Sequence, residues 1–462
     1  MPPIAVGPPG DPQGLGPTAS LGPPPGPMYP NPGPYTAPMY QPSPESALGY
    51  GLANRLWFNG EYLLLFGDSQ SGGGFPLLTT GSPGQAGVLG APTTTVLVGG
   101  GKINYGAISG FRLGGGFYGD ADRRFGFDLG TFYAQPTSYS KTFATDSDIN
   151  GAVPAAGIPV LARPFIDTVT GNTSLVVVSP TIPGATPGSS SRAIGSAKVS
   201  TRTSTWAADP SAIWNVFRSD PSSRFKVSVD LLAGYKYLQF NEEFIISSRS
   251  ELRGVTFVEQ FTTGPFGVPV STGFLIVPTP VGVGGVVTAA PSVISIADRF
   301  VTTNKFNGGN FGARTEFRYG MFTVTATGKI AVGSMHETLR IRGVTSFNNS
   351  ETGRAGYAFG GLYANASNIG TFTNDEFCVI PDVNLTVGIN LTRSLSMYLG
   401  YNFLYISRAI RPGNQLSPII DASTVPFSPA YGGTASIPAP VKGLISDDYY
   451  LQGVSFGFGF KY

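Results

Sequence analysis

Cysteine, histidine, charge and long apolar runs are all scarce in this 462-residue chain. The single cysteine, Cys378, excludes an internal disulfide framework, and no CxxC motif or Cys/His cluster is present to hold zinc. No run of about 18 apolar residues occurs, so no membrane-spanning helix is expected, although a β-barrel needs none. Charged residues make up only 12% of the chain and the net charge is +2; without a basic stripe or stacking motif, a nucleic-acid partner is excluded. The only histidine, His336, lies beside Glu337 with no GxSxG elbow or comparable signature, so it reads as a polar-face residue and not as a catalytic base.

Glycine, proline and aromatics fill the space: 64 Gly, 40 Pro and 12% Phe, Trp and Tyr point to strands, turns and loops. Residues 1–50 hold 16 of the prolines, no Lys or Arg, and only Asp11 and Glu45 as acids. Such a segment cannot bury enough apolar surface to offset its ordering entropy, so a disordered, Pro/Gly-rich periplasmic tail is expected there. Met1–Gly10 has neither the basic nor the apolar region of a secretory signal, which places the expected signal upstream of Met1.

Residues 51–462 are expected to form the barrel, and from Trp57 onward the pattern is alternation with period two, which sends successive side chains to opposite faces of a sheet. Phe377, Val379, Pro381, Val383, Leu385, Val387, Ile389 and Leu391 form one face of a strand, and Glu376, Asp382, Asn384, Thr386 and Asn390 the other. Ten strands are legible, at about 57–66, 107–118, 124–135, 196–217, 225–250, 297–318, 321–343, 376–391, 395–411 and 447–462, within a range of eight to fourteen. Short turns (Gly119–Arg123, Arg218–Arg224, Tyr319–Gly320, Thr392–Ser394) alternate with long Gly/Pro/Ser/Thr-rich loops. This is the arrangement of periplasmic turns and extracellular loops in an all-β, closed antiparallel transmembrane barrel. A soluble β-sandwich also alternates, but its strands are usually shorter and it needs no aromatic girdle such as Trp57, Phe58, Tyr62 and Phe66 suggest.

At about ten strands a barrel interior is close to filled by side chains. Arg112, Lys236, Arg314, Arg318, Lys329 and Arg408, facing Asp128, Asp230, Glu316 and Asp382, are therefore expected to plug the lumen as ion pairs. The pairs Glu242/Glu243 and Asp447/Asp448 read as solvated strand ends. GGGFYG at Gly114–Gly119 and GGGK at Gly99–Lys102 lack the following helix or Ser/Thr of a nucleotide loop. No catalytic residue, metal ligand or cofactor is expected. In the last strand, Phe456, Phe458, Phe460 and Tyr462 share one face opposite small residues. Such a terminal strand resembles the signal read by the barrel-assembly machinery, which with outer-membrane lipid would be a partner of the chain.

Blocks such as WFNGEYLLLF, LLAGYKYLQFNEEF, DRFVTTNKFNGGNFGARTEFRYG, KIAVGSMHETLRIRG and YYLQGVSFGFGFKY span most of the chain from Trp57. In combination they resemble the planctomycete outer-membrane β-barrel family called beta-barrel protein family seven. The resemblance implies a fold and an outer-membrane location, and supplies no substrate, catalytic residue or cofactor. The expected role is non-enzymatic: structural, or contact with a cell-wall or surface partner through long outer loops, so that deleting about Thr137–Ala193 should spare folding. The alternative is a narrow porin-like channel for ions or small solutes, with the inward arginines as a selectivity ring.

Overall fold

The computed structural model describes residues 55–82, 85–147, 160–179, 192–220, 222–253, 255–263, 269–278, 292–350, 353–426, 428, 431–432, 439–440 and 443–462. The tail expected at 1–50 lies outside them. Ten strands form the barrel: β1 (Leu56–Gly67), β2 (Ala107–Tyr118), β3 (Phe125–Ser147), β4 (Arg192–Arg218), β5 (Phe225–Arg253), β6 (Ser292–Tyr319), β7 (Phe322–Asn349), β8 (Gly370–Asn390), β9 (Leu395–Ile410) and β10 (Ser446–Lys461). Each pairs antiparallel with its neighbour in sequence, and β10 returns to β1 through Trp57 opposite Lys461 and Phe66 opposite Gln452. The ladder is a ring, so no open edge of unpaired N–H and C=O groups faces lipid.

The expected strands are all present, but several run further. β6 and β7 have 28 residues each, well beyond the 9 to 11 that cross a bilayer. They are joined by a two-residue turn in which Gly320 has φ +58°, the left-handed value favoured by glycine at the first central position. No helix among the described residues is long and apolar enough to cross a membrane.

The face that decides between barrel and sandwich is the oily one. Val383, Leu385, Val387 and Ile389 on β8, Phe456, Phe458 and Phe460 on β10, and Phe58, Tyr62 and Phe66 on β1 are all exposed on the outside of the ring. A soluble sandwich would have turned these residues inward; a continuous apolar girdle of this size belongs in lipid. Trp57 departs from the expected girdle: its ring packs at a tilt against Tyr118 inside the barrel, centroids 5.0 Å apart, beneath the Arg314 guanidinium.

The long loops enter the barrel. Pro76–Thr80, Thr95–Gly99, Leu161–Asp167, Thr173–Val177 and Ile419–Ile420 form a small second sheet. Its Leu77, Leu78, Val98, Leu161 and Phe165 pack against inward Val199, Phe244, Ile246, Phe300 and Leu339 of the wall. Leu161–Asp167 and Thr173–Val177, within the segment Thr137–Ala193, are thus part of the core, which corrects the expectation that this segment could be removed without loss of folding. Gly343 makes room for the loop after Gly360, because a Cβ there would collide with the Ala364 carbonyl.

One stretch of wall is closed differently. The β8–β9 ladder ends at Asp382 opposite Leu404, next to Pro381, which has no N–H to donate. Beyond it side chains bridge the seam: Ser407 Oγ accepts from Val379 N at 2.9 Å, and Arg408 meets Glu376 at 3.7 Å.

Candidate functional site: a charged cavity in the lumen

The inward polar faces of the strands meet at the short-turn end, the periplasmic end in barrels of this class, and enclose a cavity of about 1300 Å³. Nine of the ten lumen charges expected from sequence line it or bond within it. Arg314 is shared by Asp230 at 3.1 Å and Asp128 at 3.3 Å; Lys236 holds Asp382 at 2.6 Å. Lys329 reaches Asp128 at 4.0 Å and Asp209 at 3.4 Å, and Glu316 takes Arg318 at 3.1 Å and Lys461 at 3.6 Å. Arg112 donates to the Asn402 amide oxygen, which also accepts from Asn384 at 2.7 Å. Pairing of this kind lets charges of both signs sit in a semi-enclosed space without an uncompensated ion.

Arg408 is the exception. Alternation from Leu404 and Ile406 would turn it inward, but a register shift between Ile406 and Ala409 breaks the period and leaves its side chain 56% exposed at the β8–β9 seam. It is not a lumen residue.

The ion pairs line the cavity but do not plug it; a buried apolar layer lies above them. Leu63, Phe132, Leu238, Phe240, Phe306, Met335, Ile380 and Leu451 project from the wall into one apolar layer, in which Cys378 is fully buried. Above it sits Arg411, whose Nε and Nη2 donate to the two Glu242 oxygens at 2.9 and 3.1 Å. Its Nη1 donates to Asp68 at 2.6 Å and to the Ser69 carbonyl at 3.1 Å, and the guanidinium lies over the Tyr449 ring. Glu242 is therefore a buried anchor, not the solvated strand end expected from its position beside Glu243.

A second buried pair ties the inserted sheet to the wall. Arg163 donates to Asp298, both fully buried, and Asp298 also accepts from the backbone N–H groups of Tyr363 at 3.0 Å and Ala364 at 2.8 Å. Tyr363 donates its hydroxyl proton to the Pro164 carbonyl at 2.9 Å, and burial pushes its pKa up. Sequence reasoning missed Arg163, Asp298, Glu242 and Arg411 because their partners lie more than a hundred residues away and two of the four sit in loops without period.

His336 meets Asp375 at 2.9 Å, on the outer face of the wall where both are substantially exposed, and neither reaches the cavity. Among the described residues no group of three His, Cys, Asp or Glu side chains is placed to hold a metal ion.

Among solved structures, the chain is similar to the outer membrane protease OmpT of Escherichia coli, with a TM-score of 0.32 and 9% identity over 88% of this chain and 97% of that one. It is also similar to the transport unit of the autotransporter AIDA-I of Escherichia coli, with a TM-score of 0.21 and 8% identity over 90% and 97%. A third is the anion-selective porin of Comamonas acidovorans, with a TM-score of 0.11 and 9% identity over 88% and 98%. At these TM-scores the likenesses carry no argument about activity. No curated protein matches the chain. The family described as "Putative beta barrel porin-7" matches residues 57–263 and 284–462, and with the closed ten-stranded ring this chain, an outer-membrane β-barrel, belongs to that family.

Proposed function

We propose that this protein is a closed, non-enzymatic barrel with a structural or surface-contact role, and that it does not serve as a general porin. The observation that carries the reading is the seal: an apolar layer spans the lumen between the charged cavity and the loop-filled outer mouth, backed by the Arg411–Glu242 and Arg163–Asp298 pairs. Open aqueous channels generally require about 16 to 18 strands, against ten here. At the end away from the short turns, Tyr357 and Phe359 meet edge to face at 5.7 Å and are 70% and 77% exposed, which suits contact with a partner. Conductance of the full chain in planar bilayers tests the proposal. Silence across salts is expected; steady, salt-dependent conductance would favour the alternative, a narrow channel fed by the charged cavity.

A further inference from the structure

The outer wall carries a second polar surface, distinct from the lumen. On β4 to β7 the lipid-facing residues give way, above Trp206 and Val332, to outward cations in fixed rows. Lys305 stands opposite His336 at the edge of the apolar band, and Arg340 lies four residues further along β7. Next comes Arg342, directly opposite Arg299. Like charges facing each other across a ladder destabilise it unless an anion intervenes. Two outward acids lie among these rows: Glu243 holds Arg299 at 2.5 Å, and Asp375, next to His336 in the Lys305 row, takes His336 at 2.9 Å. Lys305, Arg340 and Arg342 are exposed and have no carboxylate within ion-pair distance among the described residues.

The height of these rows limits the occupant. From Lys305 to Arg299 is six residues, about 20 Å along a strand and about 15 Å along the membrane normal at ordinary barrel tilts. The headgroup layer of an ordinary bilayer adds only about 5 to 8 Å per leaflet. A simple phospholipid would reach Lys305 and leave the arginines bare. From this we infer that the outer face of β5–β7 binds a glycolipid of the outer leaflet whose phosphates are carried on an extended sugar headgroup, with Arg299, Arg340 and Arg342 gripping the outer phosphate groups. Guanidinium forks suit this task because they bind phosphate oxygens in pairs.

The test uses the folded full chain in detergent and follows the temperature at which its heat-modifiable gel migration is lost. Rough-type lipopolysaccharide should raise that temperature, an effect weakened by salt. The same material after dephosphorylation, phosphatidic acid, and inorganic phosphate at matched concentration should each raise it far less. In the variant Arg299→Gln/Arg340→Gln/Arg342→Gln, the apparent affinity for lipopolysaccharide should fall at least about tenfold. The exposed loop substitution Lys102→Gln should leave it unchanged. Should the triple variant fail to fold, Arg342→Gln alone must show a reduced response. Equal responses in wild type and variant, or an equal response to phosphatidic acid or free phosphate, would overturn the assignment.

Discussion

Replacing Arg411 by methionine removes the one cation among the described residues that pairs with the buried Glu242. Glu242 has no exposed side-chain surface, whereas Asp68, the other partner, is 15% exposed and within reach of water. The cost is therefore dominated by a stranded buried carboxylate, with lesser losses from the hydrogen bonds to Asp68 and Ser69 and the contact with Tyr449. Breaking a buried pair by removing one partner costs about 3 to 5 kcal/mol. Urea unfolding of the full chain in detergent, followed by tryptophan fluorescence, reads that loss directly. The double variant Arg411→Met/Glu242→Gln should recover a substantial part of it, because the stranded charge is gone. The neighbouring residue supplies the control: Glu243 faces outward against a half-exposed Arg299, so Glu243→Gln should cost under about 1 kcal/mol. A single variant within about 1 kcal/mol of wild type, or a double variant no better than the single, would refute the role given to Arg411.

Three further outcomes follow from the same geometry. Phe165→Ala empties part of the core between inserted sheet and wall and should destabilise by about 3 to 5 kcal/mol in the same assay, whereas Phe377→Ala, 69% exposed, should cost much less. On β8, Leu385→Arg should cost about 2 to 4 kcal/mol in lipid vesicles, while Thr386→Arg, one residue along and lumen-facing, should be tolerated better; equal costs would overturn the assignment of faces. Asp120 accepts N–H groups from Phe125 and Arg124 in the β2–β3 turn, and these hold its carboxyl below the usual range. Its contribution to the turn should be present in full above the unfolded pKa of about 3.9 and be lost as pH falls through the lower folded value. A carboxyl NMR titration with a midpoint at or above the ordinary aspartate value would contradict this.

What the sequence made legible was whatever repeats with period two. The outward face of β8 and the aromatic face of β10 could be read residue by residue, because lipid selects one side of each strand and the ladder fixes the alternation. Legibility failed where that period breaks. At Arg408 a bulge shifts the alternation by one residue, and Trp57, aromatic and near a strand end, resembles a girdle residue until its inward contact with Tyr118 is known. Arg163, in a short strand of the inserted sheet, and Asp298, near the outer end of β6, carry no local sign that they meet. Leu238, Phe240, Phe244 and Ile246 share the inward face of β5, and only the inserted loops explain why the upper lumen is apolar.

In the closed barrel proposed above, water enters the turn-end cavity and stops at the apolar layer, inside which the single native cysteine lies. Full-length protein in lipid vesicles, treated with a small hydrophilic thiol reagent, gives the most direct reading. Cys378 should remain unmodified until the barrel is denatured, while Thr325→Cys, lining the cavity in a Cys378→Ser background, should react readily. Modification of native Cys378 at a rate comparable to that of the cavity thiol would contradict a sealed lumen.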